Sequence, residues 1–306
     1  LDIPDISNLL YLNEYDLIKS GRKFLLPVYI PFISEFINRF IANLPFINKL
    51  CLIKFIIAKI SVPKNLLDSV SVIVPARNEK GSIEQIVNRI PKMGKNTEII
   101  FIEGHSTDNT FDEIKSISDK YSDRSEIRYA QQDGKGKADA VRKGFEMAKY
   151  KILMILDADM TVPPEDLQKF YDAISSGKGE FINGSRLVYP MEKDAMRTLN
   201  ILGNKFFSMM FTWILNQRIK DTLCGTKVLS KKNYEKVKIA KKFLGDFDPF
   251  GDFDLIFGAA KINLKFIEIP IRYKARIYGK TNISRFKHGW MLLKIVFFSM
   301  RKFKFN

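Results

Sequence analysis

Residues 70–79 have the sequence Val-Ser-Val-Ile-Val-Pro-Ala-Arg-Asn-Glu, in which a mostly apolar run is followed directly by a polar turn. Such a run is typical of a buried strand, and the same succession of strand, turn and helix recurs downstream. Strands are predicted at 70–74, 98–102, 127–130 and 152–156, and helices at about 82–90, 112–121 and 138–148, with another beginning at Pro163-Pro164. Strands that alternate with helices predict an α/β fold with a parallel sheet.

Charged residues stand at the ends of three of these predicted strands. Arg77-Asn78-Glu79 follows the first strand, Glu103 ends the second, and Asp157-Ala158-Asp159 follows the fourth. In an open α/β sheet, ligands bind beyond the carboxyl ends of the strands. The sequence therefore predicts a binding site along that edge.

Asp157 and Asp159 suggest what that site holds. Two carboxylates beside the end of an apolar strand repel each other unless a cation or hydrogen-bond donors compensate. A hard divalent ion, Mg²⁺ or Mn²⁺, is one such compensation, since Mg²⁺ takes oxygen ligands and also binds substrate phosphates. The structural alternative is that both acids cap the helix after Pro163-Pro164.

The net charge of the chain is concentrated at one end. Of a total of +16, residues 272–306 contribute ten basic side chains and no acidic one. This distribution favours a polyanion or an anionic membrane as partner. No apolar run reaches the roughly 20 residues that a membrane-spanning helix requires. With two cysteines and no signal peptide, we expect a cytoplasmic protein on the inner face of the plasma membrane.

Six sequence blocks, taken in order, resemble the family 2 glycosyltransferases of the GT-A fold, of the dolichol-phosphate mannose synthase type. They are 72–79, 103–110, 134–138, 157–159, 184–186 and 221–227. The resemblance covers about residues 70–290. It implies a Rossmann-like, mostly parallel sheet flanked by helices, with the GT-A domain at 70–283.

The resemblance also implies roles for individual residues. Pro75, Arg77, Glu79 and Glu103 match the turns that hold the base and ribose of the donor, although Arg77 and Glu103 replace the usual Tyr and Asp and leave the nucleotide open. Asp157 and Asp159 match the carboxylates that hold the diphosphate through the metal. Arg186 and Arg197 match arginines near the acceptor phosphate and the donor diphosphate. The implied donor site also includes Ala158, Lys137 and Arg276.

Two of these assignments have structural alternatives of similar weight. Lys137, after the glycine-rich turn 134–136, either steers the donor phosphates or belongs to a solvated helix start. Asp252 lies where family members carry an acid on the acceptor side. An acid at a helix N-terminus is also favoured by the helix dipole alone.

The implied reaction is a metal-dependent, inverting transfer of a sugar from a UDP- or GDP-linked donor to a polyprenyl phosphate. One alternative is transfer to a sugar hydroxyl in glycan assembly, with Asp252 as the base. A non-enzyme alternative is a basic adaptor for membrane or nucleic acid. We do not expect nucleic acid as partner, because acids at the strand ends would repel its phosphates without a metal.

The two ends of the chain are predicted to be separate units. Residues 1–69 resemble, as a small α+β remnant, the closing strands and helix of a class I methyltransferase, and the alternative is a set of interfacial helices within 25–60. Residues 284–306 are predicted to form a basic amphipathic helix that docks on an anionic membrane with Trp290 at the headgroup level. The alternative is that 290–300 packs on the sheet as a core helix.

Overall fold

The computed structural model describes residues 2–61, 68–188, 198–244, 251–276, 278 and 285–305, with only the backbone described at 198–200, 241–244 and 285–288. The strands are β1 Tyr15–Lys23, β2 Ile53–Ile60, β3 Val70–Ala76, β4 Thr97–Glu103, β5 Glu126–Gln131, β6 Ile152–Ile155, β7 Phe181–Ser185, β8 Lys227–Ser230 and β9 Phe266–Pro270. The helices are α1 Ile3–Leu12, α2 Ile33–Arg39, α3 Ile83–Arg89, α4 Thr110–Lys120, α5 Lys137–Met147, α6 Leu167–Ser175, α7 Thr198–Leu215, α8 Lys231–Leu244, α9 Asp252–Lys261 and α10 Arg285–Ser299.

Within the described residues, seven strands form the central sheet in the order β5-β4-β3-β6-β8-β7-β9. The strands β3, β4, β5 and β6 are mutually parallel, and β9 is parallel to β7. Only β8 runs against its neighbours, pairing antiparallel with both β6 and β7. The predicted α/β class with a mostly parallel sheet is confirmed. The sequence pattern did not predict the strands β7, β8 and β9 or the reversed direction of β8.

The sheet is covered by helices on both faces because its central strands are apolar on both sides. In β3, Val72 and Val74 belong to the core beneath α3, α4 and α6, whereas Ile73 belongs to the core beneath α5, α7, α8, α9 and α10. Helix α5 approaches β3 closely at Gly144, where a Cβ would overlap the side chain of Ile73. The close fit fixes the start of α5 near the carboxyl end of β3.

The strand register brings the predicted charged segments together. Ala76 lies opposite Glu103 across β3 and β4, and Glu103 lies opposite Gln131 across β4 and β5. Ile73 pairs with Ile155, so the chain leaves β6 for Asp157 at the same edge. The site edge that was predicted from the sequence is therefore a single edge of the sheet.

The N-terminal segment is built around an antiparallel pair, β1 and β2, aligned from Tyr15 opposite Ile60 to Lys23 opposite Ile53. The connection between them contains α2 and two short 3₁₀ turns, Ile41–Asn43 and Ile47–Leu50. The alternative of interfacial helices throughout 25–60 is wrong for the part that forms β2. The resemblance to a methyltransferase tail stays a prediction.

The C-terminal helix α10 has one buried face and one exposed face. Leu292, Ile295 and Val296 lie in the core beneath the sheet, as the core-helix alternative predicts, whereas Trp290 is 63% exposed and Phe297 is 69% exposed. A π-helical turn, Met300–Lys304, continues the chain. In the described part of the chain, no helix combines the length and the apolar character that spanning a bilayer requires.

Candidate active site

Asp157 and Asp159 lie just beyond β6, and each is paired with a basic side chain. Lys137 Nζ lies 2.6 Å from Asp157 Oδ1, and Arg276 Nη2 lies 2.9 Å from Asp159 Oδ2. Asp159 Oδ1 also accepts hydrogen bonds from Thr161, 3.1 Å from its amide and 2.8 Å from its hydroxyl. These partners offset the repulsion between the two acids. Neither acid caps a helix, since α6 begins after Asp166, so the capping alternative is wrong.

Lys137 is the first residue of α5, after Gly136, whose φ of 86° ends the glycine-rich turn. Burial lowers the pKa of Lys137, but the charges of Asp157 and Asp252 outweigh this effect and raise the pKa above its ordinary value. The lysine is therefore a fixed cation beside Asp157. Lys137 begins α5 with its side chain partly exposed, and its role in steering the donor phosphates stays a prediction.

The backbone of the loop before β8 passes directly over this ion pair. A Cβ at Gly225 would overlap both Asp157 Oδ2 and Lys137 Nζ, so a larger residue at this position would displace the pair. The block 221–227, which supports the family resemblance, thus forms one wall of the site. Its contact with Asp157 could not be inferred from the sequence alone.

Arg276 joins the ends of two strands by bridging two carboxylates. Its Nη1 lies 2.7 Å from Glu79 Oε1, while its Nη2 reaches Asp159. Burial raises the pKa of Glu79 to about 7, with Asp159 adding to the effect and Arg276 opposing it. Glu79 Oε2 is buried and has no hydrogen-bond partner among the described residues. An unsatisfied buried oxygen in a cleft is expected to accept a donor from a ligand.

The remaining residues of the predicted donor site lie on the turns after β3 and β4. Glu103 is buried, with Oε1 2.5 Å from the amide of Ser106 and Oε2 3.0 Å from Gln131 Nε2. Burial raises its pKa, but these hydrogen bonds outweigh burial and lower it overall, so Glu103 is a carboxylate that holds its own turn together. Pro75 is half-buried in β3, and Arg77 is exposed above it. Their contact with a nucleotide stays a prediction.

Asp252 is the first residue of α9, and its partner is a lysine that the sequence analysis missed. Lys227 Nζ is fully buried, lies 2.8 Å from Asp252 Oδ1 and also donates to the Cys224 carbonyl. The sequence feature that could have identified Lys227 is its position at the end of the block 221–227. Asp252 lies at the N-terminus of a helix, as the helix-dipole alternative requires. Its role on the acceptor side stays a prediction. The neighbouring acids Asp246 and Asp248 lie outside the described residues.

The guanidinium of Arg186 is paired with a carboxylate. Its Nε and Nη2 lie 2.7 and 2.8 Å from the two oxygens of Asp221, and Asn204 donates to the same carboxylate at 2.9 Å. Both charged groups are buried, and the Arg186 guanidinium holds the pKa of Asp221 below its ordinary value, against the effect of burial. A phosphate role for Arg186 stays a prediction. The other predicted phosphate ligand, Arg197, lies outside the described residues.

The oxygen atoms at this edge fit a divalent metal that takes only part of its ligands from the protein. Asp157 and Asp159 each present carboxylate oxygens at this edge. In the described residues, no group of three or more His, Cys, Asp or Glu side chains is arranged to hold an ion. An ion here would complete its shell with water and substrate phosphate, as Mg²⁺ does.

Comparison with known proteins identifies the family of this chain. The model of glycosyl transferase family 2 matches residues 71–237. A dolichol-phosphate mannosyltransferase of Pyrococcus furiosus is 29% identical over 238 residues, which are 74% of this chain and 64% of the relative. A dolichol-phosphate mannosyltransferase of Saccharomyces cerevisiae is 36% identical over 110 residues, 34% of this chain and 40% of the relative. The chain thus spans less than two thirds of either relative.

The fold is similar to that of glucosyl-3-phosphoglycerate synthase from Mycobacterium tuberculosis, crystallised with Mn²⁺, UDP and glucosyl-3-phosphoglycerate. The TM-score is 0.54 at 14% sequence identity, and the match covers 78% of this chain and 81% of the synthase. At this identity the likeness supports the fold, and the family match extends over more than half of the chain. The chain therefore belongs to glycosyl transferase family 2 and has its GT-A fold.

Proposed function

We propose that this protein transfers a sugar from a nucleotide-diphosphate sugar to a polyprenyl phosphate, with a divalent cation held by Asp157 and Asp159. The observation that carries the proposal is this pair of acids, each opposite a basic side chain, at the carboxyl edge of a family 2 fold. The dolichol-phosphate mannosyltransferases among the relatives support the acceptor class. The Mn²⁺ and UDP bound to the mycobacterial synthase support the donor class and the metal.

In this proposal, the charged residues at the carboxyl edge of the sheet have separate roles in donor binding. The metal, when bound, neutralises the leaving diphosphate and orients it. Lys137 supplies a second positive charge that the wall at Gly225 holds in place. Arg276 presents a planar fork of donors, which suits phosphate as well as the carboxylates of Glu79 and Asp159. Glu79 Oε2 accepts from the donor's ribose.

The acceptor side needs positioning more than proton transfer. A phosphate oxygen is already ionised at neutral pH, so it can attack the anomeric carbon without a general base. The new bond joins that oxygen to the anomeric carbon while the bond to the nucleoside diphosphate breaks. Attack from the opposite face inverts the configuration in a single displacement.

The C-terminal segment 284–306 brings the enzyme to its lipid substrate. The outward side chains Trp290 and Phe297 lie on the face of α10 opposite the core, and Lys294 Nζ lies 6.0 Å from the ring of Trp290. Aromatic rings and basic side chains together favour the surface of an anionic bilayer. Docking at the inner face of the plasma membrane gives access to both a water-soluble donor and a lipid acceptor.

A thermal-shift screen of UDP-, GDP- and dTDP-sugars tests the donor and the metal. A ligand present at 100 times its Kd stabilises the native state by about 2.7 kcal/mol, which corresponds to a rise in Tm of roughly 5 °C for a chain of this size. We expect that rise for one nucleotide in the presence of Mn²⁺ and its loss in EDTA. Equal shifts in Mn²⁺ and EDTA contradict the metal, and an absence of any shift favours the adaptor alternative.

Replacing Asp252 by Asn separates the phosphate acceptor from the hydroxyl acceptor. Loss of a general base typically lowers a rate 10²–10⁴-fold, but a phosphate acceptor needs no such base. We therefore expect transfer to polyprenyl phosphate to fall by less than about tenfold. A loss of a hundredfold or more, measured per folded molecule, would mean that transfer depends on Asp252 as a general base, as the hydroxyl-acceptor alternative requires.

The control for this variant concerns the buried partner of Asp252. Losing the carboxylate leaves Lys227 buried without its counter-charge, and breaking such a pair is destabilising. The double variant Asp252→Asn with Lys227→Met removes both charges. A rate restored to wild type in the double variant assigns the effect of Asp252→Asn to the unpaired lysine.

A further inference from the structure

Two turns in the connection between β1 and β2 share a sequence and a backbone geometry. In Pro31-Phe32-Ile33 and Pro45-Phe46-Ile47, the Ile amide donates to the Pro carbonyl two residues earlier, at 2.7 and 2.9 Å. The central residues have φ 62° and ψ −39° at Phe32, and φ 69° and ψ −50° at Phe46. These are γ-turns of the positive-φ kind, which are rare and strained. A bulky residue in this region of backbone space is an outlier that points to function.

Both turns direct a ring into solvent. Phe32 is 88% exposed and Phe46 is 82% exposed, so neither ring contributes much to the packing of the described chain. A strained backbone is normally maintained by favourable contacts around it. Here hydrogen bonds of the backbone hold both turns, among them Ser34 N–H to the Ile30 carbonyl and Asn48 N–H to the Leu44 carbonyl, each at 3.0 Å, whereas the rings themselves remain exposed.

Other exposed apolar side chains lie near the two rings in the sequence, and we call the whole set the wedge surface. It consists of Tyr29, Phe32, Ile33, Phe36, Phe46 and Leu50. The sequence 24–52 that contains it has two basic residues, Arg39 and Lys49, and one acid, Glu35, which lies 3.8 Å from Arg39. Lys49 Nζ lies 6.0 Å from the centre of the Phe46 ring. The wedge surface therefore combines exposed aromatic rings with cations close to them.

Phe36 of the wedge surface is linked to the basic C-terminal end of the chain through Phe40, whose ring centroid lies 5.3 Å from that of Phe36. Arg39 Nε donates to the Phe305 carbonyl at 2.7 Å, and the rings of Phe40 and Phe305 are 5.5 Å apart. A groove of about 300 Å³ between the two segments is lined by Arg39, Phe40, Phe297, Met300, Arg301 and Phe305. The exposed ring of Phe297 and the charge of Arg301 thus extend the wedge surface on the side of α10.

We propose that the wedge surface docks on an anionic bilayer and inserts Phe32 and Phe46 into its interfacial layer. Exposed aromatic rings flanked by cations match such a layer, since apolar burial and attraction to anionic headgroups act together there. Single rings projecting from turns fit a deformable lipid surface better than a shaped protein groove. The proposal extends the proposed function, whose lipid acceptor lies in a bilayer, to a segment outside the region matched by the family.

Vesicle flotation with the full chain tests this docking. The test variant is Phe32→Ser with Phe46→Ser, and the matched control is Tyr11→Ser with Ile239→Ser, which removes two side chains that are 75% and 70% exposed on α1 and α8. We expect wild type and control to float with vesicles containing phosphatidylglycerol, and the test variant to bind about tenfold less. Flotation of wild type should weaken in high salt and with pure phosphatidylcholine.

Three results would overturn the proposal. They are a test variant that floats like wild type, a control that loses as much binding as the test variant, and a wild type that does not float at low salt. Equal thermal unfolding of all three proteins confirms that the comparison is between folded chains. Self-association of wild type in sedimentation that disappears in the test variant, without a change in flotation, would instead make the wedge surface a contact between copies.

A second measurement locates the rings without relying on a loss of binding. Phe32→Trp should gain fluorescence that brominated lipids quench, beyond the signal of the two native tryptophans, and Tyr11→Trp should not. Equal quenching in both variants contradicts insertion at Phe32. Neither experiment uses sugar transfer. A protein that docks through Phe32 and Phe46 but transfers no sugar would refute the proposed function and leave the docking intact.

Discussion

Replacing Asp157 by Asn is expected to lower sugar transfer by at least about a thousandfold and to abolish the dependence of nucleotide affinity on Mn²⁺. The amide keeps the shape of the side chain but loses the charge that pairs with Lys137 at 2.6 Å and that we propose holds the metal. Loss of one preorganised electrostatic contact to a transition state costs 10²–10³-fold, and loss of the metal removes several kcal/mol more. Calorimetry of UDP or GDP binding in Mn²⁺ and in EDTA, with turnover rates, measures both effects.

Asp166 provides a matched control for this variant. Asp166 pairs with Lys169 at 2.6 Å, the distance found for Asp157 and Lys137, but Asp166 directly precedes α6 and is not among the predicted site residues. Asp166→Asn should leave nucleotide affinity and turnover within about twofold of wild type, as expected for a largely surface pair. Equal nucleotide affinities in Mn²⁺ and EDTA for the wild type would contradict the metal assignment.

The second large effect concerns stability. Replacing Asp221 by Asn is expected to lower the free energy of unfolding by about 3–5 kcal/mol, because the buried guanidinium of Arg186 loses its counter-charge. Urea unfolding at neutral pH measures the loss. A loss below about 1 kcal/mol would mean that the fork between Arg186 and Asp221 contributes no more than a surface pair.

The same pair predicts how the difference between wild type and Asp221→Asn depends on pH. The pKa of Asp221 is lowered from 3.8 to about 2 in the folded chain, so its ionised form is stabilising. That stabilisation is fully present above about pH 4 and is lost as the pH falls towards 2. The two unfolding curves should therefore approach each other in acid. A constant difference down to pH 2 would assign the effect to packing.

The sequence was sufficient to predict the first half of the sheet and the edge at which the charged segments meet. Strands β3, β4 and β6 are apolar runs that alternate with helices, and the observed bounds fall within two residues of the predicted ones. The carboxyl-edge rule then places Asp157 and Glu79 near each other without any knowledge of contacts. Local pattern is informative here because each strand is buried on both faces.

The pairings inside the site were not predictable because they join residues far apart in the chain. Arg276 meets Glu79 across 197 positions, and no local pattern connects them. The resemblance implies a phosphate role for Arg186, but Asp221, 35 positions away, already occupies its fork. A planar guanidinium suits a carboxylate as well as a phosphate, so residue type alone does not identify its partner.

The two ends of the chain illustrate another limit of pattern analysis. In α10, Lys294 lies between buried residues. Of the apolar residues around it, Ile295 packs in the core and Phe297 is exposed to solvent. The repeated Pro-Phe-Ile triplet at 31–33 and 45–47 is visible in the sequence. Its positive-φ turns are not, since propensity disfavours Phe in that region of backbone space.

The most direct test of the central claim is a transfer assay with a polyprenyl phosphate. The nucleotide sugar selected by thermal shift is incubated with the full chain, Mn²⁺ and the lipid, and the lipid fraction is analysed by mass spectrometry. We predict a product with the mass of the lipid phosphate plus one sugar residue, formed by wild type and Asp166→Asn and not by Asp157→Asn. Consumption of the donor with the lipid phosphate unchanged, or a sugar found only on hydroxyl acceptors, would contradict the proposed function.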